Sequence, residues 1–209
     1  MLSGALRPDA GTVTVDIGRR RPVPSRMPQV ATAVLGRRAR EQVALAGWLG
    51  GAGLGHAGTR QPGALVAVDL ADHADRPARH LSGGQLRRLA LAEVLVCSPR
   101  VLLLDEPTVG LDPVQRDEIR RLIVELGERC QVVLATHLVE DLAHGFDSAT
   151  VLDSGTIRFD GSVDGFLGLI PDSEPVDGTL ADRLTAAYRA CLDEPSAVRQ
   201  VADEPRPGA

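Results

Sequence analysis

The sequence predicts an α/β fold with a parallel-sheet core, and two stretches of its 209 residues carry this prediction. Residues 101–107 read Val-Leu-Leu-Leu-Asp-Glu-Pro, an aliphatic run that ends in two carboxylates and a proline. Such an unbroken run is typical of a strand that is buried on both faces, as in a parallel sheet. Residues 81–85 read Leu-Ser-Gly-Gly-Gln and open a helical pattern of apolar residues. The carboxyl end of the strand is a candidate site, because α/β sheets place their chemistry there.

The start of the predicted helix is a second candidate site. Ser82 is expected to cap this helix, because a serine hydroxyl accepts a hydrogen bond from an amide of the first turn. Gly83 and Gly84 leave their backbone amides uncovered at the same point, where the helix dipole favours an anion. The turn is therefore a predicted anion-binding element.

Four motifs in one order and spacing resemble the ATP-binding cassette (ABC) ATPase family. Residues 81–85 resemble the family signature, and residues 103–107 resemble the Walker B strand with its catalytic glutamate. Residues 110–113 resemble the D-loop, and Thr136 with His137 resembles the switch histidine. A core strand that ends by chance in Asp-Glu beside a glycine-rich turn would explain one of these motifs but not all four. The resemblance implies a P-loop NTPase-type cassette, with a parallel-sheet core and a helical subdomain.

The resemblance also implies roles in ATP hydrolysis, with ATP and Mg²⁺ as cofactors. Asp105 would hold the Mg²⁺ ion, Glu106 would orient the attacking water, and His137 would hydrogen-bond the γ-phosphate. Gln29 lies 52 residues before Leu81, where the family has the Q-loop glutamine that completes the metal shell.

Cassettes of this family pair head to tail, so that the signature of one closes the ATP site of the other. The resemblance implies that Ser82, Gly83, Gly84 and Gln85 contact ATP held by a second ABC cassette. Asp112 would communicate across that interface. A transmembrane permease subunit is the other implied partner, which gives an expected location in the cytoplasm, at the inner face of the cell membrane.

Composition narrows the function classes. The net charge of −5 and the pI near 5.5 argue against a basic nucleic-acid-binding face, so no nucleic-acid partner is expected. No apolar run approaches the ~18 residues that span a bilayer. Cys97, Cys130 and Cys191 lack the spacing of metal ligands and are typical of reduced thiols in a cytosol.

The chain contains no lysine, since all 23 basic residues are arginine. A Walker A motif needs a lysine that reaches the β- and γ-phosphates, so no segment here supplies one. Residues 1–17 resemble the family's segment that follows the phosphate-binding loop and its helix. The resemblance therefore implies a chain that is truncated before or within the Walker A helix and lacks the N-terminal strands and the phosphate loop.

The remaining elements are predicted from periodicity and from turn residues. The predicted elements are a strand at residues 12–17, a helix at 39–49, a flexible loop at 50–63, a helix after Pro113 with an Asp117–Arg121 ion pair, a buried strand at 131–136, a hairpin of 149–152 with 156–159, and a helix at 180–192. A partial match to a dinucleotide fingerprint at Gly53, Gly55 and Gly58 lacks a preceding strand and is interpreted as part of the loop.

Four segments follow from this order. They are residues 1–25, a remnant of the Walker A helix and the β-subdomain; 26–80, the Q-loop and helical subdomain; 81–170, the core with the signature, Walker B, D-loop and H-loop; and 171–209, a short C-terminal extension that is partly disordered.

The favoured function is the ATP-hydrolysing subunit of an ABC transporter, present as an N-terminally incomplete chain. An alternative is a catalytically incompetent subunit that only completes a partner's ATP site, although the intact Asp105, Glu106 and His137 count against it. A chromosome-maintenance ATPase would carry heptads before the signature, and the 52-residue interval has none. The sequence leaves open whether the transporter imports or exports, and which substrate it moves.

Overall fold

The computed structural model describes residues 7–12, 25–28, 30–52, 54–171, 178–193 and 199–200. They fall into two compact units, which comprise residues 1–136 and 137–209. The predicted strand at residues 12–17 lies almost entirely outside the described residues, as do Gln29 and most of the predicted disordered tail. No helix in the described part of the chain has both the length and the apolar character to cross a bilayer.

The first unit contains a parallel sheet whose central strand is the predicted one. Its strands are β1 (Ser25–Arg26), β2 (Val101–Asp105) and β3 (Gln131–Ala135), in the order β1-β2-β3. Leu103 is aligned with Arg26 on one side and with Val133 on the other. Leu102 and Leu104 are fully buried, which confirms the prediction of a buried parallel strand.

The prediction for β3 is wrong in one respect, because this strand is not buried. Val133 is 38% exposed, and Ala135 is exposed as well. Among the described residues β3 pairs with β2 alone, so one edge of the strand has no described neighbour. An aliphatic run therefore fixed the strand but not its exposure, which depends on what lies beside it.

Three helices pack together next to this sheet in sequence: α1 (Ala39–Gly47), α2 (Leu54–Ala67) and α3 (Gly83–Leu95). The prediction of a flexible loop over residues 50–63 is wrong, since α2 occupies most of it and contains Pro62. Ala57, Ala64 and Leu65 are buried in this helix. Burial of one face therefore outweighs the cost of proline and glycine, which propensity alone predicts to break a helix.

A buried glutamine ties this helical part together. Gln42, on α1, is 4% exposed, and its Oε1 accepts a hydrogen bond of 2.8 Å from the Val34 amide. Its Nε2 donates to the Thr32 carbonyl at 2.8 Å and to the carboxylate of Glu93 on α3. Burial raises the pKa of Glu93, although the hydrogen bond from Gln42 acts in the opposite direction.

The next helix, α4 (Pro113–Gly127), begins at Pro113 as predicted. Its apolar stripe is buried, and the buried residues are Ile119, Leu122, Ile123 and Leu126. Val114 is 68% exposed and does not belong to the stripe. The predicted Asp117–Arg121 ion pair is wrong: the Asp117 carboxylate pairs with Arg120 at 3.2 Å, while Arg121 donates to the Asp117 backbone carbonyl.

The second unit is built on the predicted hairpin. Strands β4 (Ser148–Asp153) and β5 (Thr156–Ser162) pair antiparallel, and β6 (Arg199–Gln200) pairs parallel with β5. Ser154 and Gly155 both have positive φ, of 51° and 79°, as a tight two-residue hairpin turn requires.

Helices α5 (Val163–Leu167) and α6 (Leu180–Asp193) complete this second unit. Phe159 and Phe166 form its core, with ring centroids 5.2 Å apart and planes tilted by 55°. Leu184 and Ala187 bury the predicted C-terminal helix against this core. The unit therefore has an apolar core of its own.

Glu93→Gln is expected to stabilise the chain at neutral pH. Because burial raises the pKa of Glu93 above its ordinary value of 4.5, the folded state binds more protons than the unfolded state, and the stability of the native protein falls as pH rises through this interval. Glutamine keeps an acceptor for Gln42 but does not ionise. Thermal unfolding at about pH 4 and about pH 7.5 should show a gain only at the higher pH.

The exposed Glu125 of α4 offers the matched control, since Glu125→Gln removes one charge without touching the buried glutamine. Equal stability changes for Glu93→Gln at both pH values would contradict the expected linkage.

Candidate nucleotide-binding surface

The turn before α3 has the geometry predicted for it. The Ser82 Oγ accepts a hydrogen bond of 3.3 Å from the Gln85 amide, and the Gln85 Oε1 accepts one of 3.0 Å from the Ser82 amide. This reciprocal pair is a capping box, which satisfies two amides at the helix start. We call residues 82–85 the signature turn.

The two glycines of the signature turn have different surroundings. A Cβ at Gly83 would meet no atom within 4 Å, so its backbone faces open space. A Cβ at Gly84 would lie 3.0 Å from the side-chain carbon of Gln115 that bears its amide, and Gly84 is buried. Gly83 therefore leaves room for an approaching group, whereas Gly84 permits close packing of α3 on α4.

Side-chain contacts attach α3 to the segments around it. Arg87 is buried and donates from Nη2 to the Val109 carbonyl at 3.1 Å, and burial lowers the pKa of its guanidinium. Arg88 pairs with Glu118 of α4 at 2.7 Å and with Asp69, beyond α2, at 2.9 Å. The signature turn is thus attached to α4 and to the loop that precedes it.

Asp112 is the N-cap of α4. Its Oδ1 accepts a hydrogen bond of 3.0 Å from the Gln115 amide. Gln115 is the same residue whose side chain covers Gly84, so the start of α4 and the start of α3 lie against each other. A structural role for Asp112 is therefore visible in the chain itself.

The carboxylates of β2 lie in two different environments. Asp105 Oδ2 accepts a hydrogen bond from Arg26 Nη2 at 3.0 Å, and the two side chains are 40% and 48% exposed respectively. Glu106 has a φ of 48°, in the left-handed region, while its amide donates to the Ala135 carbonyl at 2.9 Å. Such strain in a residue other than glycine is costly and is found most often at functional sites.

The structure brings some of the predicted site residues together. Ser82, Gly83, Gly84 and Gln85 lie in one turn, and Gln115 links them to Asp112. The carboxylates of Asp105 and Glu106 stand at the end of β2, in the same unit. His137 is the first residue of the second unit, and Gln29 lies outside the described residues.

Three contacting residues were not singled out from the sequence: Arg26, His73 and Gln115. Arg26 reaches Asp105 because β1 aligns Arg26 with Leu103, two residues before Asp105 and on the same face. No local signal in the sequence predicts this register. His73 contacts the Gln85 side chain at 2.9 Å across 12 residues, which no helical or strand period predicts either.

The donor set fits a magnesium ion that is shared with phosphates. No group of three or more His, Cys, Asp or Glu side chains in the described residues is placed to hold a metal ion. Mg²⁺ needs no such cage, since it keeps several waters and binds through one or two carboxylates together with substrate phosphates. Asp105, at an exposed strand end, is a suitable oxygen ligand of this kind.

The parallel sheet with its terminal carboxylates and the capped signature turn define an ATP-binding cassette, a P-loop ATPase of the ABC class. A family model described as "AAA domain, putative AbiEii toxin, Type IV TA system" matches residues 18–140, more than half of the chain. The chain belongs to this family of P-loop ATPase domains.

Curated relatives carry transporter names. The energy-coupling factor transporter ATP-binding protein EcfA2 of Bacillus subtilis (strain 168) is 49% identical over 90 residues, which are 42% of this chain and 33% of the relative. EcfA2 of Clostridioides difficile (strain 630) is 41% identical over 99 residues, 46% of this chain and 34% of the relative. The chain thus spans about a third of the length of these relatives.

A solved structure shares the fold. It is described as "An inward-facing conformation of a putative metal-chelate type ABC transporter" and aligns with a TM-score of 0.70. The alignment covers 90% of this chain and 71% of that chain, at 22% sequence identity. At this identity the likeness shows the fold alone.

Gly83→Ala and Gly84→Ala are expected to differ in stability. Alanine at Gly83 meets open space and should leave the chain as stable or up to about 1 kcal/mol more stable, because it removes glycine's extra backbone entropy from a helix. Alanine at Gly84 must displace the Gln115 side chain and should be the less stable variant. Urea unfolding of both variants checks this order.

A double-mutant cycle with Gln115→Ala supplies the control for Gly84. The penalty of Gly84→Ala should shrink in the Gln115→Ala background, and a penalty of unchanged size would show that the close approach of Gln115 is not its cause.

Asp112→Ala is expected to cost about 1 kcal/mol of stability, because the Gln115 amide loses its cap. Asp112→Asn keeps an oxygen acceptor at the same position and should be close to the native protein. Urea unfolding of the three proteins measures the difference, and equal loss in both variants would argue against a capping role.

Proposed function

We propose that this chain is the nucleotide-binding subunit of an ABC transporter, in which ATP hydrolysis energises transport. The observation that carries the proposal is the signature turn: a capped helix start with an open glycine backbone at Gly83 and a buried Gly84 packed against α4. Amides at a helix start favour an anion, and the phosphates of ATP are anions of this kind. The transporter names of the curated relatives support the same proposal.

The carboxylates of β2 have roles that suit their positions. Mg²⁺, when bound, would neutralise charge on the β- and γ-phosphates, and Asp105 would be its protein ligand. Glu106, on its strained turn directly after the strand, would orient the attacking water and accept its proton. His137 would hydrogen-bond the γ-phosphate and Gln29 would complete the metal shell, as the family resemblance implies.

The proposed ATP sites lie between two cassettes. The given sequence holds no lysine, so the phosphate-binding lysine of a Walker A motif is not among these residues. What the described residues offer to ATP is the signature turn, which would close over nucleotide held by a second cassette. Asp112 lies beside that turn through Gln115 and would report on its occupancy across the interface.

The proposed surroundings follow from the transporter role. The second cassette would be a copy of this protein or a related chain, and a transmembrane permease subunit would couple hydrolysis to movement of the substrate. The protein would then act in the cytoplasm, on the inner face of the cell membrane. The proposed organisation assigns residues 26–80 to the helical subdomain and residues 81–170 to the catalytic core.

A second candidate is a catalytically incompetent subunit that only completes a partner's ATP site. The lysine-free sequence is the observation that favours it, because the signature turn can serve a partner without any phosphate loop of its own. Both candidates use Ser82 and Gly83, but only the first uses Glu106.

Glu106→Gln tests the proposed function in the native complex, purified from the source cells with its partners. Removing the group that orients water should lower ATP hydrolysis by about 10²–10⁴-fold while nucleotide remains bound. Glu125→Gln, on the exposed face of α4, is the matched control and should leave hydrolysis unchanged. The intact mass of the chain, compared with 22.1 kDa, is measured on the same sample.

The two candidates predict different outcomes. Hydrolysis that survives Glu106→Gln but falls on Gly83→Ala would identify a chain that only completes a partner's site. A complex without any nucleotide-dependent activity would contradict both.

A further inference from the structure

The side-chain amide of Gln85 has both of its ends engaged. Its Oε1 accepts the hydrogen bond of the Ser82 amide at 3.0 Å, and its Nε2 lies 2.9 Å from His73 Nε2. A backbone N–H can only donate, so the oxygen of the Gln85 amide must face Ser82. The NH₂ end therefore faces His73, whose Nε2 must be the unprotonated acceptor and whose proton is then on Nδ1.

His73 is held by a different part of the molecule from α3. It ends the short 3₁₀ helix Ala71–His73, which follows α2. Its amide donates to the Leu70 carbonyl at 3.0 Å, and its carbonyl accepts from the Arg76 amide at 3.0 Å. Leu70 is fully buried, and the imidazole of His73 is half-buried. The acceptor nitrogen is thus fixed on a frame that does not depend on the signature turn.

We propose that His73 is a positioning residue for the signature turn. Its neutral imidazole holds the Gln85 amide in the one orientation that caps Ser82, and so keeps the first-turn amides arranged for an anion. The positioning role concerns the turn itself; only the identification of that anion as ATP of a partner cassette rests on the proposed function.

The chemistry of the amide explains why an acceptor is needed. An amide without a polar neighbour at its far end has little reason to prefer one of its two flipped orientations. The wrong orientation sets the Gln85 NH₂ group against the Ser82 N–H, two donors facing each other, and the capping box is lost. An acceptor at residue 73 favours the capping orientation, whereas a donor there would favour the flipped one.

Two variants of His73 separate the hydrogen bond from the bulk of the ring. His73→Gln places a neutral amide oxygen close to the position of Nε2 and keeps an acceptor. His73→Leu fills similar space without any acceptor. His80 supplies the control: it directly precedes Leu81, and Arg79 Nε donates to its Nε2 at 3.1 Å. His80→Leu therefore removes a second imidazole near the turn without removing the Gln85 contact.

Hydrogen exchange of the Ser82 amide, followed by NMR on the full chain, is the test. His73→Leu should speed this exchange by about five- to tenfold, which corresponds to the net worth of one hydrogen bond. His73→Gln should restore the native rate, and His80→Leu should leave it unchanged. A native rate in His73→Leu, or the same acceleration in His80→Leu, would overturn the proposal.

A measurement on the native protein needs no variant to fold. The ¹⁵N resonances of the His73 ring report which nitrogen carries the proton, and the proposal requires a bare Nε2 with a proton on Nδ1. A protonated Nε2 in the folded chain would overturn it. A scalar coupling between Gln85 Nε2 and His73 Nε2 would support it directly.

ATP hydrolysis by the native complex separates this proposal from the proposed function. If exchange responds to His73→Leu and hydrolysis does not, the positioning role stands and the assignment of the anion to ATP fails. If both respond, and His73→Gln rescues both, the two proposals stand together.

Discussion

The pairing of β2 on both edges is the constraint on which the first unit depends. With β1 and β3 as neighbours, its backbone groups are satisfied and Leu102 and Leu104 are fully buried, so the strand has one register. That register ends the strand at Asp105 and forces the turn at Glu106. The left-handed backbone of Glu106 persists because its amide still bonds to the Ala135 carbonyl of β3. The strain sits where the ladder ends, and the chain then runs to the cap of α4.

The start of α3 depends on that course of the chain. Gln115, one turn into α4, fills the space beside Gly84, and Arg87 bonds the Val109 carbonyl in the loop between β2 and α4. Burial of a guanidinium is costly unless it is hydrogen-bonded, so this contact is demanded by the packing of α3. The signature turn and the loop after the carboxylates therefore form one connected piece. A group bound at Gly83 would act on this loop without an intervening hinge.

Local signals were predictable from the sequence, and contacts that depend on register or burial were not. The Ser82 cap, the first-turn Pro113 and the hairpin turn at Ser154 and Gly155 are each decided within four residues, and each is present as predicted. The helix α2 was missed because burial of one face overrides the intrinsic preference of Pro62. The Arg26–Asp105 pair joins residues 79 apart and is visible only once two strands are aligned.

That ion pair bears on the choice between an active and an incompetent subunit. Arg26 occupies an oxygen of the carboxylate proposed to hold Mg²⁺, which at first favours a disabled site. Its magnitude decides otherwise: an ion pair whose side chains are 48% and 40% exposed is worth about 0–1 kcal/mol. A dication bridging to phosphates gains far more at the same oxygen, because its charge is larger and its ligands are strongly anionic. Arg26 therefore neutralises Asp105 only until a metal–nucleotide complex arrives, and the pair does not count against catalysis.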